Sequence, residues 1–222
     1  MSYMLEFPPH APLPTSARSP PYALFFVGGV GVYRDLPPKL PLRVALHLAP
    51  KLRHYIHPLS TNATYLALRA PHVGINIPAN INTDGLGWIV KRMLQIGGEA
   101  VSKEVFSMKP SVLTSVSIHE AWLALELPLE GLQALHAHIQ TTLSFGDPVL
   151  LKEIKAIWSA FPIGSPIMLE MGLNFVHSHI NLGYTTSEFS SIRHWYLATR
   201  GRCDFFRSIE KQVPEFDQVQ KL

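Results

Sequence analysis

Every segment of this chain with strand character lies before residue 78, and every strongly patterned segment after Thr83 has helical spacing. A sequence whose strands come first and whose helices then run on without strands predicts an α+β fold with a helical extension. The strand signals are specific. Tyr22 to Val27 is aromatic and branched, Gly28-Gly29 can supply the positive φ of a tight turn, and Val30 to Tyr33 reads as the hairpin partner. Thr64 to Leu68 and Val73 to Ile77 read as two further strands.

Prolines divide the rest. Five of them, Pro8, Pro9, Pro12, Pro14 and Pro20, deny residues 1–21 both helix and sheet ladders, so an extended, flexible arm is expected there. Leu42 to Ile56 keeps a helical spacing, but Pro50 must break it into two short helices. Residues 57–64 read as a loop, and Asn62-Ala63-Thr64 within it as an ordinary loop triplet and not a glycosylation site. Thr83 or Asp84 caps a helix that ends at Gly97-Gly98; Glu99 to Lys109 reads as a linker. Ser111 to Leu125 is helical, Pro128 breaks it, and Leu129, Leu132, Leu135, Ile139 and Leu143 trace the next stripe.

Beyond this, Asp147-Pro148 and Ser165-Pro166 each look like a cap followed by a proline at the first helical position. Thr186 or Ser187 with Glu188 opens a helix that Gly201 closes, and Cys203 to Gln212 forms a last short one. The large apolar residues Trp158 and Phe161 must be covered by the first domain or by the later helices. The expected organisation is therefore an arm (1–21), a first domain (22–146), a helical extension (147–212) and a flexible tail (213–222).

Composition narrows the class. Of the 222 residues 47% are apolar and 16% charged, which suits a folded chain and argues against disorder. Cys203 is the single cysteine, so no internal disulfide is possible, and a reducing, intracellular setting (cytoplasm or nucleus) is expected. No signal-peptide core and no membrane-length apolar run is evident. The formal charge of +3 is not gathered into a run. Its densest part, Arg34, Lys39, Arg43, Lys51 and Arg53 against Asp35, reads as a solvated face and loop more readily than as a nucleic-acid surface.

Four phrases, in order, resemble the BTB/POZ fold in a divergent, fungal-type form. "ALFFVGGVGVYRDL" resembles its opening hairpin and "PLRVALHLAPKLRHYI" its paired helices, with Ala49-Pro50-Lys51-Leu52 where the family has Ser-Pro-x-Phe. "VGINIPANINTDGLGWIVKRMLQIGG" resembles the strand ending in Leu-Pro and the helix ending in Tyr-x-Gly, and "VSIHEAWLALELPLEGLQALHAHI" the later helix pair. The likeness spans about residues 22–144, and the helices from 148 resemble the extension that follows many such domains. It implies a non-enzymatic adapter or scaffold that binds a protein partner and can form a homodimer. Three departures stand out: Pro20-Pro21-Tyr22 replaces the Asp before the first strand, Leu42-Arg43 replaces the His-Lys pair, and between Gly74 and Gly98 the only acid is Asp84. The last removes the apolar-x-Glu motif, so the resemblance does not carry binding to a cullin-type ligase scaffold with it.

A search for chemistry finds no catalytic centre, and no catalytic, cofactor or metal residue is assigned. Among 11 histidines, His136/His138 and His177/His179 are two apart and cannot share a helix face, whereas His54/His57 could converge but have no carboxylate or cysteine beside them. Cys203 has Arg200, Arg202 and Arg207 nearby but no motif around it. "VGGVGVY" fails the dinucleotide spacing G-x-G-x-x-G. Two rival readings remain: an enzyme whose site gathers His119, Glu120 and His136, and a weak nucleic-acid binder using Arg34 to Arg53.

Overall fold

The glycine pair Gly28-Gly29 organises the strand-forming half. In the computed structural model, which describes residues 4–8, 12–37, 39–58, 71–78, 81–99 and 109–219, both glycines take positive φ (56° and 83°). They join strand β1 (Tyr22–Val27) to strand β2 (Val30–Gly31) in an antiparallel hairpin with Val27 opposite Val30. The amide of Gly29 is held by the side-chain oxygen of Asn76 at 3.0 Å.

After the hairpin come helix α1 (Leu42–Leu48), a 3-10 helix (Pro50–Tyr55) and a two-residue strand β3 (Ile56–His57). Pro50 therefore divides the two helices as expected. Strand β4 (His72–Ile77) then lies parallel to β1 along its whole length, from Tyr22 opposite His72 to Val27 opposite Ile77. β3 pairs antiparallel with the other side of β4, giving the order β2-β1-β4-β3. The protein is thus α+β, with one small mixed sheet. Ile56 and His57, read from the sequence as a helix end and the start of a loop, form that edge strand instead. Most of the linker expected at Glu99 to Lys109, and the strand expected at Thr64 to Leu68, lie outside the described residues, as does most of the 57–64 loop with its Asn62-Ala63-Thr64 triplet.

Helix α2 (Thr83–Ile96) is capped by Asn82, whose side chain accepts from the Asp84 amide; the cap lies one residue before Thr83. Helix α3 (Val112–Ala124) starts at Ser111, whose hydroxyl accepts from the Thr114 amide. The core of this half joins Phe25, Ile75 and Ile77 of the sheet to Leu86, Ile89 and Met93 of α2 and Trp122 of α3, all buried. The Trp122 indole N–H, which would be costly to bury unpaired, donates to the Pro128 carbonyl at 2.8 Å.

The chain separates into two compact units, residues 1–135 and 136–222. The border falls inside helix α4 (Gln133–Phe145), which follows a 3-10 turn at Leu129–Leu132, and not at residue 146. The second unit continues with α5 (Leu151–Ala160), α6 (Pro166–Ile180), α7 (Thr186–Leu197), α8 (Arg200–Glu210) and α9 (Pro214–Val219). Its centre is the ring of Phe175, packed on Tyr184, Phe189, Tyr196 and Phe206 at centroid distances of 5.5–5.8 Å. Trp158 meets Trp195 and Phe205 edge-on, so later helices of the same unit supply its cover.

Several local expectations are corrected. Asp147 and Pro148 precede α5 by a few residues; the helix starts after Leu150, whose amide is taken by the Glu153 carboxylate at 2.8 Å. Buried Asn174 holds this approach, its amide donating to the carbonyls of Leu143 (2.7 Å) and Asp147 (3.3 Å) and its oxygen accepting from Val149 (2.8 Å). Thr185, one residue before the expected start, caps α7 in a reciprocal pair with Glu188. Gly201 does not close a helix but lies in the first turn of α8. The expected tail carries α9, and its Phe216 is fully buried. The expected arm is also packed: Met4, Leu5 and Ala17 are buried.

Candidate interaction surfaces

The segment Met4–Phe7 belongs to no helix or strand, and its first two residues, Met4 and Leu5, are both buried. Leu5 is buried, Glu6 is exposed, and Phe7 is half-buried, its ring 4.9 Å from that of Trp122. The main chain is gripped at two successive residues. The Arg92 Nε donates to the Leu5 carbonyl at 3.2 Å, and the Glu6 amide donates to the Gly131 carbonyl at 3.0 Å. Gly131 must lack a side chain for this approach, since a Cβ there would lie 2.2 Å from the Glu6 carbonyl oxygen and 2.5 Å from the Trp122 ring. Arg92 is half-buried; burial pulls its guanidinium below the usual arginine range, and the charge of Glu6 opposes that effect. Beside the segment lies a cleft of about 510 Å³ lined by Phe7, Leu13, His47, Leu48, Arg92 and Ile96 among others.

The sheet offers a second surface. Its two edges are the short strands β2 and β3, and each presents an exposed branched residue, Val30 (68% exposed) and Ile56 (44%). Near β3 a small polar cluster forms. Lys51 reaches Glu126 at 2.8 Å, and the Tyr55 hydroxyl donates to the same carboxylate. Hydrogen bonds from Lys51 and Tyr55 hold the Glu126 carboxyl below its ordinary range, while the same bond pushes the Tyr55 phenol up.

The residues singled out for chemistry fall at separate places. His54 is on the 3-10 helix and His57 on β3, both exposed, so the spacing of three does not place them on one helical face. His119 is buried on α3 and Glu120 half-buried beside it, its carboxyl pushed up by burial. His136 belongs to the second unit, where it stands edge-on to Phe161 at 5.6 Å; burial lowers its imidazole. His179 is stacked on Phe189 at 3.6 Å and is lowered for the same reason, while His177 is exposed. Cys203 is half-buried in the first turn of α8. Among the described residues no group of three or more His, Cys, Asp or Glu is placed to hold a metal ion.

Of the basic residues between 34 and 53, Arg43 donates to the Ser16 hydroxyl at 3.2 Å and Lys51 is paired with Glu126. Arg34, Lys39 and Arg53 are exposed. No helix of the described residues is long and apolar enough to cross a membrane.

The gripped segment is not legible in the sequence, because the prolines from Pro8 onward make the whole stretch around it look unable to join a helix or a sheet. Its apolar residues Met4, Leu5 and Phe7 are too few for a periodicity argument.

Compared with known proteins, the chain matches no family model, no curated protein and no solved structure.

Proposed function

We propose that this chain is a non-enzymatic protein-interaction module, a BTB-like adapter or scaffold that associates with a second copy of itself through the hairpin region. The observation that carries the reading is the order of elements. A hairpin (β1, β2), a broken helix pair (α1 and the 3-10 helix), the short strand β3, the strand β4, a helix (α2) and two later helices (α3, α4) follow one another, and the resemblance likewise puts a hairpin first, then paired helices, a strand with a helix, and a later helix pair. The four quoted phrases fall on those elements in turn. Recognition by such a module needs burial and main-chain hydrogen bonds at an exposed edge, and no perturbed side chains. Val30 on β2 supplies an exposed apolar residue at that edge.

The test is sedimentation velocity of the full chain as its concentration is raised. A sedimentation coefficient that climbs to that of a dimer supports the reading. One that stays at the monomer value up to the solubility limit counts against it.

A further inference from the structure

We infer that the cleft between the last turn of α4 and a polar stripe of α6 is a binding site for a primary alkylammonium ion. Helical spacing sets the stripe. Glu170, Asn174, His177 and Asn181 follow one another at steps of four, three and four, so they line up along α6 and its C-terminal cap. The end of α4, with Ser144 and Phe145, forms the other wall, and the two enclose about 370 Å³. Every residue of the lining belongs to the second unit.

The chemistry of the lining selects the ligand. Glu170 is its one carboxylate, and no lysine or arginine stands in it. Glu170 is half-buried; its Oε2 accepts from the Ser144 hydroxyl at 2.8 Å. Among the described residues its Oε1 has no hydrogen-bond partner and its charge no ion pair. His177 and Asn181 are exposed, and neither side chain is hydrogen-bonded to another described residue. Asn174 differs, because the backbone of Leu143, Asp147 and Val149 already occupies its amide group. The open groups are thus a carboxylate oxygen, an amide and a neutral imidazole, each able to accept. A primary ammonium brings three N–H donors and the opposite charge. Both helices end at the cleft, α4 at Phe145 and α6 at Ile180, and the partial negative charge of a helix C-terminus also favours a cation. The Phe145 ring, 88% exposed on the wall, offers a face to the charge and cover to the alkyl chain. The inference uses no surface assigned to self-association and stands whether or not the chain dimerises.

The experiment titrates the full, nitrogen-15-labelled chain with n-pentylamine at pH 8 and constant ionic strength, followed by amide chemical shifts. Saturable shifts should centre on Ser144, Gly146, His177 and Asn181 at millimolar amine. Glu170→Gln should weaken binding about tenfold. Phe145→Ala should weaken it about threefold. n-Pentanol, the same chain without the charge, should not saturate the site. A parallel titration with Nα-acetyl-lysine methylamide names the source: tighter binding than n-pentylamine assigns the ammonium to a lysine side chain, weaker binding to a free amine, and either supports the site.

No saturable shift at the cleft, equal affinity in Glu170→Gln, or pentanol binding as tightly as the amine would each overturn the inference. If Glu170→Gln melts earlier than wild type, Phe145→Ala decides alone, because the fold does not depend on so exposed a ring; unchanged affinity in that variant would overturn the inference.

Discussion

The amide of Glu6 donates to the carbonyl of Gly131 across 3.0 Å, and the approach is so close that a methyl group on Gly131 would sit 2.2 Å from the Glu6 carbonyl oxygen. Real Cβ atoms do not come that near. Gly131→Ala must therefore either expel the segment Met4–Phe7 or push against the Trp122 ring. The expected cost is about 1–3 kcal/mol, the usual penalty of overpacking. Thermal unfolding measures it, and limited proteolysis should cut the first residues faster than in wild type. An unchanged melting temperature with unchanged proteolysis would show that the two segments do not meet.

Two buried polar residues of the second unit should respond in opposite directions. Asn174 satisfies the backbone of Leu143, Asp147 and Val149, so Asn174→Ala orphans up to three buried groups and should cost more than about 2 kcal/mol. The Tyr196 hydroxyl is buried without a hydrogen-bond partner among the described residues, and burial pushes its phenol up. Tyr196→Phe removes an unsatisfied group and keeps the ring on Phe206, so it should be neutral or stabilising by about 1 kcal/mol. Chemical denaturation of the two variants decides the signs; a destabilised Tyr196→Phe would mean that the hydroxyl has a partner.

The histidines set a pH dependence. Burial lowers the imidazoles of His136 and His179 in the folded protein, so near pH 6 the unfolded chain binds more protons than the folded one. Their contribution is complete above the ordinary histidine pKa of about 6.5 and is lost as pH falls from there through the folded values. Stability should decline on acidification below neutrality, and the double variant His136→Gln, His179→Gln should flatten that decline. An equally steep fall in the double variant would place the effect on other groups.

What the sequence made legible followed the strength of local signals. Gly28-Gly29 between apolar runs, Pro50 inside a helical stripe, and the Ser165 cap each specify backbone geometry without tertiary help, and each stands where it is expected. Asp147-Pro148 has the form of a helix start, but Asn174, 27 residues on from Asp147, takes the Asp147 carbonyl, and the helix begins beyond it. Gly201 was read as a stop because glycine is a poor helix former, yet helix α8 runs through it to bury Phe205, Phe206 and Ile209. Phe216 was hidden for a related reason: a short polar segment gives no periodicity, and its burial depends on the rings of His179, Phe206 and Phe189, which come from other helices. The groove at Gly131 was illegible because its two sides come from opposite ends of the first unit.

The proposed self-association puts the contact between two copies at the hairpin. Light scattering coupled to size exclusion, comparing wild type with Val30→Glu, tests it most directly. Val30 is 68% exposed on an edge strand, so a glutamate there leaves the fold intact and puts a charge on the proposed contact. A dimeric mass is expected for wild type and a monomeric mass for a Val30→Glu chain of unchanged melting temperature; a monomeric wild type, or a variant as dimeric as wild type, would refute self-association through the hairpin.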